Sequence, residues 1–265
     1  MRAVSLVALT REVSPAIDRC ELVHLERRPI DVELAREQHR EYEAALRGEG
    51  YAVHTLPADP SLPDSVFVED TAVVFDEMAV IARPGAASRE PETEAIAGVL
   101  AAYRPLSRIS APATLDGGDV LRIGRTVYVA DGGRTNRAGR DQLAAAVAPL
   151  GYTVCPVAVH GCLHLKSAVT LVAPDIVLCN PSWVDPSAFA GMRVLEVAAG
   201  EPYGANGLLV GSKLIYPSSF PLTARRLAEQ GIEILPLNVS ELQKAEGAVT
   251  CCSILFPARP LPPSP

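Results

Sequence analysis

The sequence predicts an α/β protein in which five similar modules follow one another and close into a ring. Pairs of short apolar runs recur along the chain, each pair separated by a polar or glycine-containing turn, which is typical of hairpins with buried strands. Helix-like stretches lie between the pairs, and the pairs repeat at a period in the forties, which indicates a repeat architecture. A large open sheet is the alternative, because the modules share a pattern rather than residue identities.

The strand pairs occupy corresponding places in the repeat. Polar residues near the start of each pair are spaced 42 to 48 residues apart, and four such intervals separate five modules. These residues are Asp70, Asp116, His164, Asn206 and Cys251. The pairs themselves are expected at 64–85, 114–133, 163–182, 205–219 and 247–257.

Several helix-like stretches begin behind a residue type that commonly caps helices. Asp31 precedes 32–48, Ser88 precedes 89–103 and Asn136 precedes 137–151. A further stretch at 223–231 is followed by a strand-like run at 232–237, and Ser240 is a candidate cap for the stretch after it.

The last strand-like run, 253–257, has no partner strand near it in the sequence. We expect it to pair with the N-terminal run 3–9, which would complete the fifth module from both ends of the chain. The sequence therefore predicts one closed domain over residues 1–257, followed by a Pro-rich C-terminal tail over 258–265.

Composition narrows the class of partner. The chain has 265 residues, 48% of them hydrophobic, which suits a globular protein with a substantial core. Its formal net charge of −7 argues against binding to nucleic acid or to an anionic membrane surface and favours a small-molecule partner. The N-terminal apolar run is too short for a signal peptide, so we expect a cytoplasmic protein.

The cysteines favour reduced thiols. They form no CxxC pair and lie mostly within apolar runs, which suits buried thiols better than disulfides or a zinc site. We therefore predict no metal site. The six are Cys20, Cys155, Cys162, Cys179, Cys251 and Cys252.

Each module carries polar or reactive residues at the start of its first strand, where the sequence is otherwise apolar. If the modules surround an axis, these positions converge at its centre. A cysteine, a histidine and several carboxylates together are suited to covalent catalysis. The residues are Asp64, Glu69, Asp70, Asp116, Asp119, His164, Lys166, Asn206 and Cys251.

The segments around these residues resemble the dimethylarginine dimethylaminohydrolases, members of the guanidine-modifying pentein superfamily. The resemblance implies a five-bladed α/β propeller of ββαβ modules with pseudo-fivefold symmetry and an active site on the axis. It also implies a hydrolase that converts Nω,Nω-dimethyl-L-arginine or monomethylarginine to L-citrulline and dimethylamine or methylamine. The matching segments run in the family's order from about residue 31 to 256 and are PDSVFVEDTAVV, ARPGAASR, TLDGGDVL, RTN, LHLKS, YGAN and VTCCSIL.

Three residues match the family's catalytic positions. The resemblance implies that Cys251 is the nucleophile and forms a covalent thiouronium intermediate, whereas Cys252 points to the other face of the strand. His164 would protonate the leaving amine and then activate water, since the pKa of histidine lies near the working pH. Asp116 would hold the histidine tautomer. A cation, either the bound guanidinium or His164, would favour the thiolate.

Two carboxylates match the family's substrate-binding positions beside the first strand pair. The resemblance implies that Asp64 and Asp70 hold the guanidinium. A guanidinium is planar and carries forked N–H donors, so paired carboxylates can fix it bidentately and present its carbon to sulfur.

The resemblance also assigns the amino-acid end of the substrate. Glu69, by backbone or side chain, and the backbone of Ala245 would contact the amino group. Arg89 and Arg134, in the RPGxxSR and RTN segments, would hold the carboxylate.

Alternatives remain at the level of function. Arginine deiminase runs the same attack with ammonia as the leaving group, and another N-substituted arginine could be the substrate. A non-catalytic pentein binding module is the alternative from a different class. The reaction requires no cofactor and no metal, although the family can bind zinc through its active-site cysteine as an inhibitor.

The resemblance places a lid loop between Thr10 and Cys20. Val13, Ile17 and Cys20 are the candidates for the apolar residue that such a lid places over the substrate. The family includes monomers and dimers, so a homodimer is compatible with the resemblance.

Overall fold

The structure, a computed structural model, describes residues 5–258. Within them, fifteen strands form five three-stranded sheets. The predicted C-terminal tail, apart from residue 258, lies outside the described residues. No helix in the described part of the chain has the length and apolar character needed to cross a membrane.

All five sheets share one strand arrangement. In each, the two strands of a hairpin pair antiparallel, and the third strand returns parallel to the middle one, as a ββαβ module requires. The strands are β1 (Leu6–Arg11), β2 (Tyr51–Leu56), β3 (Ala72–Val74), β4 (Ala79–Ile81), β5 (Leu106–Arg108), β6 (Val120–Ile123), β7 (Thr126–Ala130), β8 (Thr153–Val157), β9 (Val169–Ala173), β10 (Ile176–Cys179), β11 (Arg193–Glu196), β12 (Leu208–Val210), β13 (Lys213–Pro217), β14 (Glu233–Leu237) and β15 (Ile254–Pro257). The sheets are β15-β1-β2, β3-β4-β5, β6-β7-β8, β9-β10-β11 and β12-β13-β14.

Helices connect the middle and outer strands in four of the five modules. The third module uses a 3-10 turn, Pro186–Phe189, in the same place. The helices are α1 (Val32–Gly48), α2 (Glu92–Leu100), α3 (Arg137–Val147), α4 (Leu165–Ala168), α5 (Pro221–Glu229) and α6 (Ser240–Gln243).

Two of the four predicted helix caps are confirmed. The Asp31 carboxylate accepts hydrogen bonds from the backbone N–H groups of Glu33 and Leu34 at the start of α1. The Asn136 side chain accepts one from Gly139 at the start of α3. Both side chains satisfy donors that the first helical turn leaves unpaired.

The other two caps are wrong. Ser88 lies in a 3-10 turn, and its hydroxyl donates to Glu21, while α2 begins only after Pro91. Proline suits a helix start because its φ is already helical and it lacks an N–H that would need a partner. Ser240 is itself the first residue of α6, and its hydroxyl accepts a hydrogen bond from Gln38 instead.

The ring closes as the sequence predicts. β15 pairs antiparallel with β1, in a register that runs from Leu9 opposite Ile254 to Leu6 opposite Pro257. Apolar clusters fill the five seams between neighbouring sheets; Phe75 and Val80 of one sheet, for example, pack with Val127 of the next. The closed five-module arrangement excludes a large open sheet.

The polar residues at the module starts lie slightly earlier than predicted. They occupy tight turns that precede the first strand of each hairpin, which we call the inner strand. These turns include Val68–Thr71, Gly117–Asp119, α4 and the turn that contains Cys251. The bond from Asp119 N–H to the Asp116 carbonyl is typical of these turns. The position inside the strand was wrong, because hydrogen bonds within the turn replace strand pairing at these residues.

Candidate active site

The turns before the inner strands are linked to one another by hydrogen bonds around the axis of the five-module ring. Each turn makes at least one hydrogen bond to the turn of the next module, which fixes their side chains relative to one another. These bonds run from Gly118 N–H to Asp70, from Leu165 N–H to Asp119, from the Asn206 amide to the Lys166 carbonyl, from Thr250 N–H to Asn206, and from Glu69 N–H to the Cys251 carbonyl. Six of the predicted polar residues, through side-chain or backbone atoms, therefore also build the site.

His164 lies between two carboxylates. Its Nε2 is 3.1 Å from Asp116 Oδ2, and its Nδ1 is 3.6 Å from Asp70 Oδ1. Asp116 is fully buried, and its other oxygen accepts a hydrogen bond of 2.7 Å from Gly85 N–H. The backbone therefore orients Asp116, and Asp116 in turn orients the imidazole.

The carboxylates keep His164 protonated at neutral pH. Burial lowers the pKa of His164, but Asp70, Asp116 and Asp119 outweigh it and raise the pKa to about 9. Burial alone would raise the pKa of Asp70, but His164 and Arg89 lower it to about 2. The described site thus holds an imidazolium next to an ionised carboxylate.

Cys251 lies in the turn after α6 and is half-buried. Desolvation raises the pKa of its thiol well above the usual value, and the nearby carboxylates of Glu69 and Asp70 add to the increase. The Thr250 hydroxyl is 4.0 Å from the Cys251 sulfur. Without a cationic ligand, the sulfur is therefore a neutral thiol.

Glu69 and Asp70 point to different sides, as predicted, although they lie in a 3-10 turn rather than in a strand. The Glu69 carboxylate accepts hydrogen bonds from Lys166 Nζ at 2.7 Å and from the Thr250 hydroxyl at 2.8 Å. It lines a cavity of about 700 Å³ that does not include Cys251. A contact between Glu69 and the substrate remains a prediction.

Arg89 is buried and already bonded. Its guanidinium donates to Asp70 at 2.6 Å, to Glu92 at 2.8 Å and to the Phe67 carbonyl at 3.1 Å. In the described structure Arg89 orients Asp70, and its predicted contact with a substrate carboxylate is not tested. Glu92 neutralises part of the Arg89 charge, and its position in the predicted helix gives no sign of a place in the site.

The family resemblance assigns a catalytic or substrate-binding role to nine residues. Seven of these nine line one small cavity of about 320 Å³. Asp116 lies behind His164, and Glu69 faces away, so neither lines it. The seven are Asp64, Asp70, Arg89, Arg134, His164, Ala245 and Cys251. Four of the seven, Asp64, Asp70, His164 and Cys251, belong to the polar residues at the module starts, so the convergence predicted from the repeat is observed for these four.

Five lining residues were not predicted: Glu21, Phe67, Leu163, Glu246 and Gly247. Leu163 and Phe67 lie inside the quoted segments LHLKS and PDSVFVEDTAVV, but only as apolar residues without an assigned role. Glu21 and Glu246 are acidic residues in loops, which in a sequence cannot be distinguished from solvated surface residues. Their proximity to the predicted Ala245 and to the predicted lid was the only available signal.

The predicted lid position requires correction. Val13, Ile17 and Cys20 are buried in an apolar cluster and do not line the cavity. The segment that reaches the site comes directly afterwards, at residues 21–25, which we call the lid segment. Glu21 lines the active-site cavity, while His24 and Leu25 line a neighbouring cavity of about 790 Å³.

One group in the described part of the chain has the geometry to hold a metal ion. Ligand atoms of Asp70, Asp116 and His164 lie within 4.8 Å of one another. This is the same cluster that orients and charges the imidazole, so it is not a separate metal site.

The two glycines of LDGGD are required by close contacts rather than by a positive φ. A Cβ at Gly117 would lie 1.9 Å from the Glu69 carbonyl oxygen. A Cβ at Gly118 would lie 2.7 Å from both Asp70 Oδ1 and His164 Nδ1. The backbone at Gly118 thus packs directly against the side chains of Asp70 and His164.

We expect Gly118→Ala to lower kcat/KM by about 10²-fold, because a displacement of the reacting groups by about 1 Å has an effect of this size. The added methyl must push Asp70 or His164 out of place. Steady-state kinetics would measure the loss.

Gly98→Ala is the matched control for that variant. Gly98 lies in α2 with no atom within 4 Å of a Cβ, so alanine should keep activity and stabilise the protein by about 1 kcal/mol. Wild-type kinetics for Gly118→Ala would show that the glycine does not position the two side chains.

Comparisons with known proteins identify the family. No protein-family model matches the chain. The dimethylarginine dimethylaminohydrolase of Streptomyces coelicolor is 45% identical over 252 residues, which covers 93% of this chain and 95% of that protein. The enzyme of the same name from Pseudomonas aeruginosa is 33% identical over 228 residues, 85% of this chain and 90% of that protein.

Solved structures agree with the sequence comparison. A cysteine-to-serine variant of the Pseudomonas aeruginosa enzyme, complexed with citrulline, superposes with a TM-score of 0.91 at 30% identity and covers 96% of this chain and 99% of that one. The N-terminal domain of an arginine dihydrolase from cyanobacteria, at 18% identity and a TM-score of 0.84, shares the fold. Sequence and structure together show that the chain belongs to the dimethylarginine dimethylaminohydrolase family, within the pentein fold.

Proposed function

We propose that this chain hydrolyses Nω,Nω-dimethyl-L-arginine and monomethylarginine to L-citrulline and the corresponding methylated amine. The observation that carries the proposal is one cavity in which Cys251, His164 and Asp70 meet, with Asp116 behind the histidine. Relatives that bear the dimethylarginine dimethylaminohydrolase name cover nearly the whole chain.

Charge supports binding of a guanidinium. The Asp70 carboxylate is ionised and held in place by Arg89 and Gly118 N–H, and Asp64 lines the same cavity. A planar cation with several N–H donors matches two carboxylates that are already oriented. Burial raises the pKa of Asp64, so a bound cation would also favour its ionised form.

The first chemical step uses the cation that the substrate brings. A guanidinium next to Cys251 favours loss of the thiol proton to solvent, and the thiolate attacks the guanidinium carbon. A carbon–sulfur bond forms, and the bond from carbon to the methylated nitrogen breaks. The His164 imidazolium gives its proton to that nitrogen, so the amine leaves neutral and a thiouronium remains on Cys251.

The second step reverses the role of His164. The now neutral imidazole takes a proton from water, and the oxygen attacks the thiouronium carbon. The carbon–sulfur bond breaks, the oxygen loses its remaining proton to solvent, and citrulline and the thiolate result. Asp116 stabilises the imidazolium in both steps and fixes the ring so that Nδ1 faces the cavity.

The amino-acid end of the substrate fits the remaining lining residues. Within residues 5–258, Arg134 makes no side-chain hydrogen bond or ion pair, so its guanidinium is available to a carboxylate. We propose Arg134 as the main contact for the substrate carboxylate, with Arg89 beside it. Ala245 is buried next to the cavity, and its backbone is proposed to contact the substrate amino group.

We also propose that residues 1–257 form one catalytic domain of a cytoplasmic protein, for which both a monomer and a homodimer are compatible with the family. All six cysteines are free thiols, which suits a reducing compartment. Light scattering on the purified protein would distinguish a monomer from a homodimer.

Citrulline release would test the proposed activity. The purified protein would be given dimethylarginine, monomethylarginine, arginine and agmatine in parallel, with Cys251→Ser as the blank. Turnover of the methylated substrates would support the proposal. Turnover of arginine alone would indicate a deiminase, and no turnover would favour another guanidine or a binding module.

We expect kcat/KM to rise about tenfold per pH unit below pH 9 and to level off above it. The free site holds a thiol and an imidazolium, because the pKa of Cys251 is raised and that of His164 is about 9. The reactive pair, thiolate and imidazolium, has one proton fewer. Above pH 9 the free site also has one proton fewer, so the dependence disappears. A profile from pH 6 to 10 would show whether the break lies there.

A further inference from the structure

The lid segment has no backbone partner. Among residues 5–258, no backbone-to-backbone hydrogen bond involves residues 21–30, which form neither helix nor strand. A segment without such bonds depends on side chains to remain in one position.

Two carboxylates supply the missing partners. Glu21 N–H lies 3.2 Å from both oxygens of Asp64. The N–H groups of Val23, His24 and Leu25 lie 3.0, 2.5 and 2.6 Å from Glu246 Oε1. Both carboxylates line the active-site cavity, so the lid segment is held by the site that it covers.

Glu246 is bound to three consecutive backbone donors. Successive N–H groups that point into one concavity form a site for an anion, here filled by a side chain more than 200 residues away in the sequence. Charge-assisted bonds of this kind are stronger than bonds between neutral groups. Within the described residues no lysine or arginine pairs with Glu246, so the lid segment is its partner.

The backbone at Glu246 is strained. Its φ of 58° is the only positive value at a non-glycine residue between residues 5 and 258. A glutamate gains nothing from this conformation in isolation, and such residues persist where the surroundings require them. The turn sets the direction of the Glu246 side chain between Ala245 and Gly247, both of which line the active-site cavity.

We propose that Glu246 is a positioning residue that holds the lid segment closed over the active site through its backbone N–H groups. Substrate must enter while these bonds are open, and the bound complex is retained while they are closed. The proposal deepens the proposed function and rests on it only for the kinetic part. It assigns the hold on residues 23–25 to one carboxylate, five residues before Cys251, whereas Asp64 holds only Glu21 N–H.

Limited proteolysis and thiol labelling would test the proposal without substrate. Arg27 is a trypsin site shortly after the lid segment, whereas the bond between Arg28 and Pro29 resists trypsin; Cys251 lines the cavity, where iodoacetamide would react with it. We expect Glu246→Ala to raise both the cleavage rate after Arg27 and the labelling rate of Cys251 by about tenfold. Mass spectrometry would identify the cleaved bond and the labelled cysteine.

Steady-state kinetics would distinguish weaker closure of the lid segment from a general loss of folded structure. In Glu246→Ala we expect KM for dimethylarginine to rise about tenfold, with kcat within about threefold of wild type, because the reacting groups are untouched. Glu246→Gln keeps one acceptor oxygen, so its KM should lie between the values of wild type and Glu246→Ala. Glu26→Ala is the matched control, since Glu26 is exposed, follows the lid segment and makes no side-chain bond within the described residues.

Glu246→Gly covers the case in which alanine does not fold, because glycine accepts a φ of 58° without strain. It should give the same faster cleavage and labelling. Wild-type cleavage, labelling and KM in a folded variant without this carboxylate would overturn the proposal. If cleavage and labelling accelerate but no methylarginine is turned over, the proposed function fails and the role of Glu246 stands.

Discussion

Cys251→Ser is expected to lower kcat by about 10³-fold or more, as loss of a catalytic nucleophile does in enzymes of this kind. A serine hydroxyl has a much higher pKa than a thiol, and neither the bound guanidinium nor the His164 imidazolium can ionise it enough. The cavity itself should be preserved, because Cys251 is connected to Glu69 through its backbone carbonyl, which serine retains. Citrulline release would measure the loss.

Binding should survive in the same variant. The proposed guanidinium and carboxylate contacts do not use the sulfur, so isothermal titration with citrulline should give a dissociation constant within about tenfold of wild type. A cysteine-to-serine variant of the Pseudomonas aeruginosa relative was solved in complex with citrulline, so such a change is compatible with binding in that protein.

Cys252→Ala is the control for a general effect of losing a thiol. Cys252 is fully buried, faces away from the cavity and contacts the Ala248 carbonyl. The Cys252→Ala variant should be less stable than wild type but keep its kcat. Comparable turnover in Cys251→Ser and wild type would exclude the covalent mechanism.

The fold could be predicted because each module repeats one local pattern. Apolar pairs around a tight turn specify the hairpins, and the leftover run 253–257 could only be satisfied by the N-terminal strand, which β15 and β1 confirm. Helix starts were harder to predict. At Ser88 and Ser240 the hydroxyl groups bond to Glu21 and Gln38, and no local pattern indicates those partners.

The reacting centre was predictable for a different reason. Cys251, His164 and Asp70 are polar residues in apolar surroundings, and the repeat places them at equivalent points of a ring. What the repeat cannot give is the partner that a side chain in a tight turn will bond to. Glu69 and Asp70 are adjacent, yet one bonds to Lys166 and the other faces His164.

The lid segment shows where sequence reasoning stops. Its position depends on contacts between residues more than 200 positions apart, and Glu246 contributes through a backbone conformation that the residue type does not favour. The apolar residues Val13 and Ile17 were better candidates by type, but their side chains pack in the core. An apolar side chain that packs in the core and one that covers a ligand cannot be distinguished in a sequence.

Asp116→Asn is expected to lower kcat by about 10³- to 10⁴-fold, as the same change does in other triads that orient a histidine with a carboxylate. Asparagine keeps an oxygen for Gly85 N–H, so the side chain should stay in place. Its amide would donate to His164 Nε2, which favours the tautomer with the proton on Nδ1. The imidazolium would also lose the carboxylate that stabilises it.

The pH profile distinguishes this role from a structural one. Asp116 is one of the carboxylates that raise the pKa of His164 to about 9, so the break in kcat/KM should move to lower pH in Asp116→Asn. A merely structural residue would reduce the rate without moving the break. Asp131→Asn is the matched control, because Asp131 pairs with Arg140 at the surface and should leave both the rate and the break unchanged. A variant with reduced rate and an unmoved break would mean that Asp116 supports the fold and does not set the charge of His164.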